Sequence, residues 1–341
     1  MTSNRLDRQR RFLCQASGAA IVASLLPGCA APMRDEAASQ GQGGDAPDFV
    51  APPQGTRRRV ALVLSGGAAR GFAHIDMLRV LEREGLRPDL VVGTSAGAII
   101  GAMLASGMSV AQIERAAERL DWSLLIDVDP MRVVLGGVGL GLLPGARLER
   151  FLQAYLPAPI ERFPIAFAAV TADMRNGDVV PLNHGDAARA VRASCAVPGV
   201  YAPVHARWRL LADGQIVSPL PVSTARRLGA LRVLALDVVF PPQHSEMSNP
   251  VSMLFQSLIV SGWRHVLAER AQADLVIAPE IRSAAQLGLG SRGWLIVAGE
   301  QAAQARLTEI RRLFSESSGP PSAWRPLPDG APSHREVAGR P

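Results

Sequence analysis

Gly93-Thr94-Ser95-Ala96-Gly97 is a G-x-S-x-G pentapeptide set between a short apolar run, Leu90 to Val92, and a stretch of small residues, Ala96 to Ser106. That spacing suits a sharp strand-to-helix turn that lifts a serine hydroxyl out of a sheet. Side chains at Gly93 or Gly97 would collide with such a turn, so glycine occupies both places. A helix beginning at Ala96 would point its first amides at any negative charge forming beside Ser95. The chemistry is nucleophilic attack by a serine on an electrophilic centre.

A second glycine-rich segment, Ser65-Gly66-Gly67-Ala68-Ala69-Arg70-Gly71, also lies between a strand pattern and a helix pattern. Small residues there let backbone N–H groups face an anion, either a phosphate or a reaction oxyanion. No Lys-Ser/Thr pair closes it as a P-loop requires, and its spacing is irregular for a dinucleotide fingerprint. Two such loops at neighbouring strand ends favour an oxyanion hole set against a nucleophile. Ser95 also needs a base. Asp213-Gly214, after Trp208 to Ala212, offers a carboxylate at a strand end, and a Ser–Asp dyad is the simpler assignment. A Ser…Asp…His order would instead require His244 or His265, and none of the six histidines carries a local signature.

In order, GGAARG, GTSAG, ASCAVPGVYAPV and DG resemble the patatin-like phospholipases over roughly residues 58–240. The resemblance implies an oxyanion hole from Gly66, Gly67, Ala68, Ala69, Arg70 and Gly71, with Ala68 in place of a third glycine. It implies Ser95 as nucleophile and Asp213 as base, with Gln215 standing where the family has Gly or Ala. It further implies hydrolysis of (phospho)lipid acyl esters through an acyl-enzyme, with no metal and no cofactor. Arg70 either orients the loop or meets a lipid phosphate. Two other readings stay open: a lipid-binding module that has lost turnover, and a triad esterase or thioesterase in which His244 is essential.

These residues need elements to hold them. Arg59 to Ser65, Leu90 to Val92, Ile165 to Thr171, Arg209 to Ala212, Leu231 to Phe240 and Leu275 to Ala278 read as strands. Helix patterns follow Phe72 to about Gly85, Ala96 to Ser106, and about 250 to 272 and 294 to 314. The alternation predicts an α/β fold with a mixed, mostly parallel central sheet and helices on both faces, and the resemblance makes this a three-layer patatin-like fold over 58–314. Gly136 to Gly145, rich in glycine, reads as an irregular loop and a candidate flap.

The chain has 341 residues and a formal charge of +6, and all 36 basic residues are arginine. A basic balance suits nucleic acid only when the arginines cluster or alternate with aromatics, and here they are scattered. The first thirty residues explain part of the excess. Arg5, Arg8, Arg10 and Arg11 precede an apolar stretch from Phe12 to Leu26, then Leu26-Pro27-Gly28-Cys29, which resembles a lipoprotein export signal over residues 1–28. Cleavage there would remove three of the six net charges and leave Cys29 lipidated, a membrane anchor facing the periplasm of a Gram-negative cell. No nucleic-acid partner is expected; a membrane lipid or acyl ester is. Residues 29–57 read as a flexible tether and 315–341 as a disordered tail. Cys195 would remain as a lone thiol, so the mature protein relies on its core rather than on disulfides.

Overall fold

The computed structural model describes residues 46–120, 140–244, 250–280 and 292–315. In chain order its strands are β1 (Arg58–Leu64), β2 (Leu90–Thr94), β3 (Gly141–Leu143), β4 (Ala166–Asp173), β5 (Val179–Leu182), β6 (Gly199–Tyr201), β7 (Val204–Ala206), β8 (Arg209–Asp213), β9 (Ala230–Leu236) and β10 (Leu275–Ile277). Its α-helices are α1 (Ala73–Arg83), α2 (Ala96–Ala105), α3 (Val110–Glu118), α4 (Ala146–Tyr155), α5 (Ala187–Ser194), α6 (Val222–Arg227), α7 (Pro250–Arg270), α8 (Arg292–Ala305) and α9 (Leu307–Ser315).

Among the described residues, eight strands form one sheet in the order β10-β9-β1-β2-β4-β8-β7, with β5 also paired to β4. The five strands from β10 to β4 are parallel, and β5, β8 and β7 add antiparallel pairings. The expected mixed, mostly parallel sheet is therefore present. Strand β1 shows why its run is continuously apolar. Val60, Leu62 and Leu64 face a core shared with α1, α2, α3, α5 and α9, while Ala61 and Val63 face a second core with α6. Successive strand side chains alternate between faces, so a sheet covered on both sides needs apolar residues at every position.

Several boundaries differ from the sequence reading. Strand β9 stops at Leu236 rather than Phe240, because the Val238 and Val239 amides donate to the Ser65 hydroxyl and the Asp237 carboxylate and leave the ladder. The helix expected over 294–314 is two helices. Arg306 N–H donates to the carbonyl three residues back, tightening the turn, and α9 then buries Ile310 and Leu313. The described half of the expected flap is ordered: β3 pairs in parallel with β6, and Arg192 donates to the Pro144 carbonyl.

The last part of the expected tether is likewise held. Asp48 forms an isolated antiparallel bridge with His184, and its carboxylate meets Arg207 and Arg209 at 3.1 and 3.3 Å. The expected export signal, Cys29, the first part of the expected tether, residues 136–139 and the expected tail beyond Ser315 lie outside the described residues. No helix among the described residues is long and apolar enough to cross a membrane.

Candidate active site

Strands β1 and β2 pair in parallel with Leu64 beside Gly93, so the loops that leave their carboxyl ends start side by side. Ser95 sits on the second loop with φ 53° and ψ −121°, a left-handed conformation that costs a non-glycine residue on the order of 1–3 kcal/mol. Both elbow glycines are sterically required. A Cβ on Gly93 would lie 2.4 Å from the Gly97 carbonyl oxygen, and one on Gly97 would lie 2.3 Å from that of Leu64. The Ser95 N–H donates to the Ser194 hydroxyl at 2.9 Å, while its carbonyl accepts from Ala98 and Ile99 and starts α2.

Asp213 ends β8, opposite Thr171 on β4, and its residue is 1% exposed. One carboxylate oxygen accepts the Gln215 N–H at 2.9 Å. Burial pushes the carboxyl up to about 7, against the opposing pull of the Gln215 N–H and the neighbouring Ser95 side chain. Gly214 is obligatory, since a Cβ there would lie 2.5 Å from the Val170 carbonyl. No imidazole among the described side chains perturbs Asp213. His265 is exposed on α7, His74 is buried against the Ser65 carbonyl, and the His244 side chain lies outside the described residues.

The glycine-rich loop folds over the same strand ends. Gly66 N–H donates to the Pro219 carbonyl, and Gly71 packs so closely that an added Cβ would stand 2.6 Å from that of Ala96. The amides of Gly67, Ala68 and Ala69 have no acceptor among the described residues, since the first hydrogen bond of the following 3-10 turn runs from Arg70 N–H to Gly67. They are the free donors an oxyanion would use. Ala68, the residue in place of a third glycine, has φ 49°.

Arg70 is buried. Its Nε donates to the Val238 carbonyl at 2.9 Å and its guanidinium lies 4.1 Å from the Phe240 ring centroid. Burial lowers it to about 9. Of its two sequence-level roles, this geometry is that of a residue fixing the loop to the end of β9. His74 supports the same loop from α1: its Nε2 lies 3.0 Å from the Ser65 carbonyl, and burial depresses the ring to about 4.

Residues 194–196 join nucleophile to base, a role the sequence did not assign. Ser194 accepts from Ser95 N–H and donates to the Val170 carbonyl, and the Ala196 carbonyl accepts Asp213 N–H at 2.9 Å. Between them the Cys195 thiol is buried, and burial with the nearby Asp213 charge pushes it well up. The signal available was the run Ala193-Ser194-Cys195-Ala196, small and weakly polar where a helix gives way to a strand. Helix α7 approaches the base from the other side. At Gly262 a Cβ would lie 2.8 Å from the Gln215 carbonyl.

The sequence profile of the patatin-like phospholipases matches residues 62–226, a span containing the glycine-rich loop, Ser95 and Asp213. An uncharacterized NTE family protein of Mycobacterium tuberculosis is 34% identical over 184 residues, 53% of this chain and 49% of that protein. Patatin-like phospholipase domain-containing protein 6 of Mus musculus is 33% identical over 211 residues, 61% of this chain and 15% of the relative. The chain thus spans about half the length of the first relative and far less of the second. Among solved structures, VipD from Legionella pneumophila aligns with a TM-score of 0.46 and 14% identity, covering 80% of this chain and 70% of that one.

Proposed function

From a chain that belongs, through residues 62–226, to the patatin-like phospholipase family, we propose a serine acyl hydrolase that cleaves lipid acyl esters through Ser95 and Asp213. The observation that carries the reading is a serine on a left-handed elbow whose side chain lies near enough to a buried carboxyl, raised to about 7, to favour its charged form. A carboxyl with that value gains and loses a proton readily near neutral pH, which is what a general base for a hydroxyl must do.

Ser95 Oγ attacks the ester carbonyl carbon while Asp213 takes its proton. The carbonyl electrons move to oxygen, where the amides of Gly67, Ala68 and Ala69 stabilise the charge; one such donor is worth roughly 3 kcal/mol in related chemistry. Collapse expels the alcohol, which leaves with the proton held by Asp213. Water then attacks the acyl-enzyme with Asp213 again as base, and free acid departs. The cycle as written needs no metal. The export signal and Cys29 extend the proposal to a lipid-anchored enzyme of the cell envelope, which would keep it at the surface that carries its substrate.

Ser95→Ala and Asp213→Asn should each abolish p-nitrophenyl acyl ester turnover while leaving the circular dichroism spectrum unchanged. A fluorophosphonate probe should label wild type and not Ser95→Ala. Full turnover by either variant would refute the dyad. Lipid mass spectrometry of membranes incubated with wild type and with Ser95→Ala identifies the ester cleaved.

A further inference from the structure

Gln215 stands where the resembled family has Gly or Ala, and its side chain extends into the site. Its Oε1 is only 2.1 Å from where a Cβ on Gly66 would stand, and that same point is 3.4 Å from Ser95 Cβ. The carboxamide end therefore fills the space between the glycine-rich loop and the nucleophile, a space that exists because residue 66 has no side chain. Oε1 is shut from solvent and has no hydrogen-bond partner among the described residues. The backbone on either side is fixed: Gln215 N–H is bound to Asp213, and its carbonyl lies beneath Gly262 of α7.

A buried amide oxygen without a partner costs stability, and an apolar residue would fill the same volume without that cost. A carboxamide carries two N–H donors on one end and an acceptor on the other, and a half-turn about its last side-chain bond exchanges them. We propose that Gln215 is a side-chain donor of the oxyanion hole, its Nε2 turning to the substrate oxygen as the carbonyl electrons move there and the bond from Ser95 Oγ forms. The inference rests on the acyl-hydrolase reading above. It adds a fourth donor to the amides of Gly67, Ala68 and Ala69. It also gives Gly66 a role of its own: with its N–H already bound to the Pro219 carbonyl, what it contributes is room for the carboxamide.

Gln215→Met keeps the volume and removes the donor, and Gln215→Ala removes both. The readouts are steady-state turnover of a p-nitrophenyl acyl ester and inhibition by an alkyl trifluoromethyl ketone, which forms an anionic tetrahedral adduct on a serine. Both variants are expected to lose kcat by roughly 10- to 1,000-fold, the scale set by removal of a side-chain oxyanion donor elsewhere, with KM within about twofold of wild type. The ketone should weaken by the same factor as kcat/KM, because adduct and intermediate share the charged oxygen. Wild-type turnover by Gln215→Met overturns the proposal and leaves a space-filling role. A loss of kcat without matching loss of ketone affinity also overturns it, assigning the residue to the placement of Asp213. Wild-type protein that neither turns over ester nor takes a fluorophosphonate label overturns the acyl-hydrolase reading itself, and the donor role with it.

Discussion

With burial raising the Asp213 carboxyl to about 7, the proposed base passes from its protonated form to the form that can take the Ser95 proton near neutral pH. Below that point the carboxyl is protonated and cannot accept. The logarithm of kcat/KM should therefore rise with unit slope from pH 5 to a plateau above about 7.5. A profile flat across that range would show that Asp213 is not the base. The same raised value has a stability consequence of fixed sign. The folded carboxyl keeps its proton up to about 7 and the unfolded one only to about 4. The site therefore favours the folded state at low pH, and that contribution is lost as pH rises between those values, about 4 kcal/mol in all. Asp213→Asn should accordingly be more stable than wild type at pH 8, with the gap in urea midpoint closing toward pH 4. A gap independent of pH would contradict the buried-charge account. The pentapeptide identified Ser95 directly from sequence. Its base could not be read the same way, because residues far apart in the chain meet only through the β2-β4-β8 order of the sheet.

Elements place these side chains through contacts that tolerate almost no added volume. Gly97 lies against the backbone oxygens of both Leu64 and Ser65, 2.3 and 2.6 Å from a constructed Cβ. Neither oxygen can swing aside, so Gly97→Ala must part the β1 loop from α2. It should cost about 3 kcal/mol, the upper range for overpacking, and lose most activity. Gly85→Ala is the control: its φ is +66° but a Cβ meets nothing within 4 Å, so only the backbone penalty of about 1 kcal/mol applies. Equal losses in urea midpoint for the two variants would show that the close contact is not what matters. Strands β1 and β2 and helices α1 and α2 were legible because apolar runs and repeats end at glycines. Strands β3, β6 and β7 were not, since Gly-Leu-Leu, Gly-Val-Tyr and Val-His-Ala lack the β-branched aliphatic run that marks Leu275–Ile277. Strand β9 ended early for a reason no pattern holds, the capture of the Val238 and Val239 amides by Ser65 and Asp237.

Across the whole molecule, the region after residue 240, featureless as a motif, closes the site from outside. Helix α7 meets the Asp213 turn at Gly262, and α8 crosses α1 where Gly299 comes so near that a Cβ would stand 2.0 Å from the Ala73 carbonyl. Arg270 of α7 pairs with buried Asp237 at 2.6 Å, just beyond the β9 end to which Arg70 is tied. The anchor is the remaining question at this scale, and Cys29→Ser tests it. The wild type should partition with the membrane pellet and incorporate labelled palmitate, while the variant should do neither. Recovery of wild type in the soluble fraction without label would remove the anchor. The sequence by itself determined the turn that carries Ser95, the glycine-rich loop and the alternation of strands and helices, because each is written in local spacing and local sterics. Only the tertiary structure decided that Asp213 lies buried near Ser95, that Arg70 is tied to the end of β9 and that Gln215 extends between the glycine-rich loop and Ser95. Those facts depend on strand order, burial and the approach of distant backbones, which no local pattern encodes.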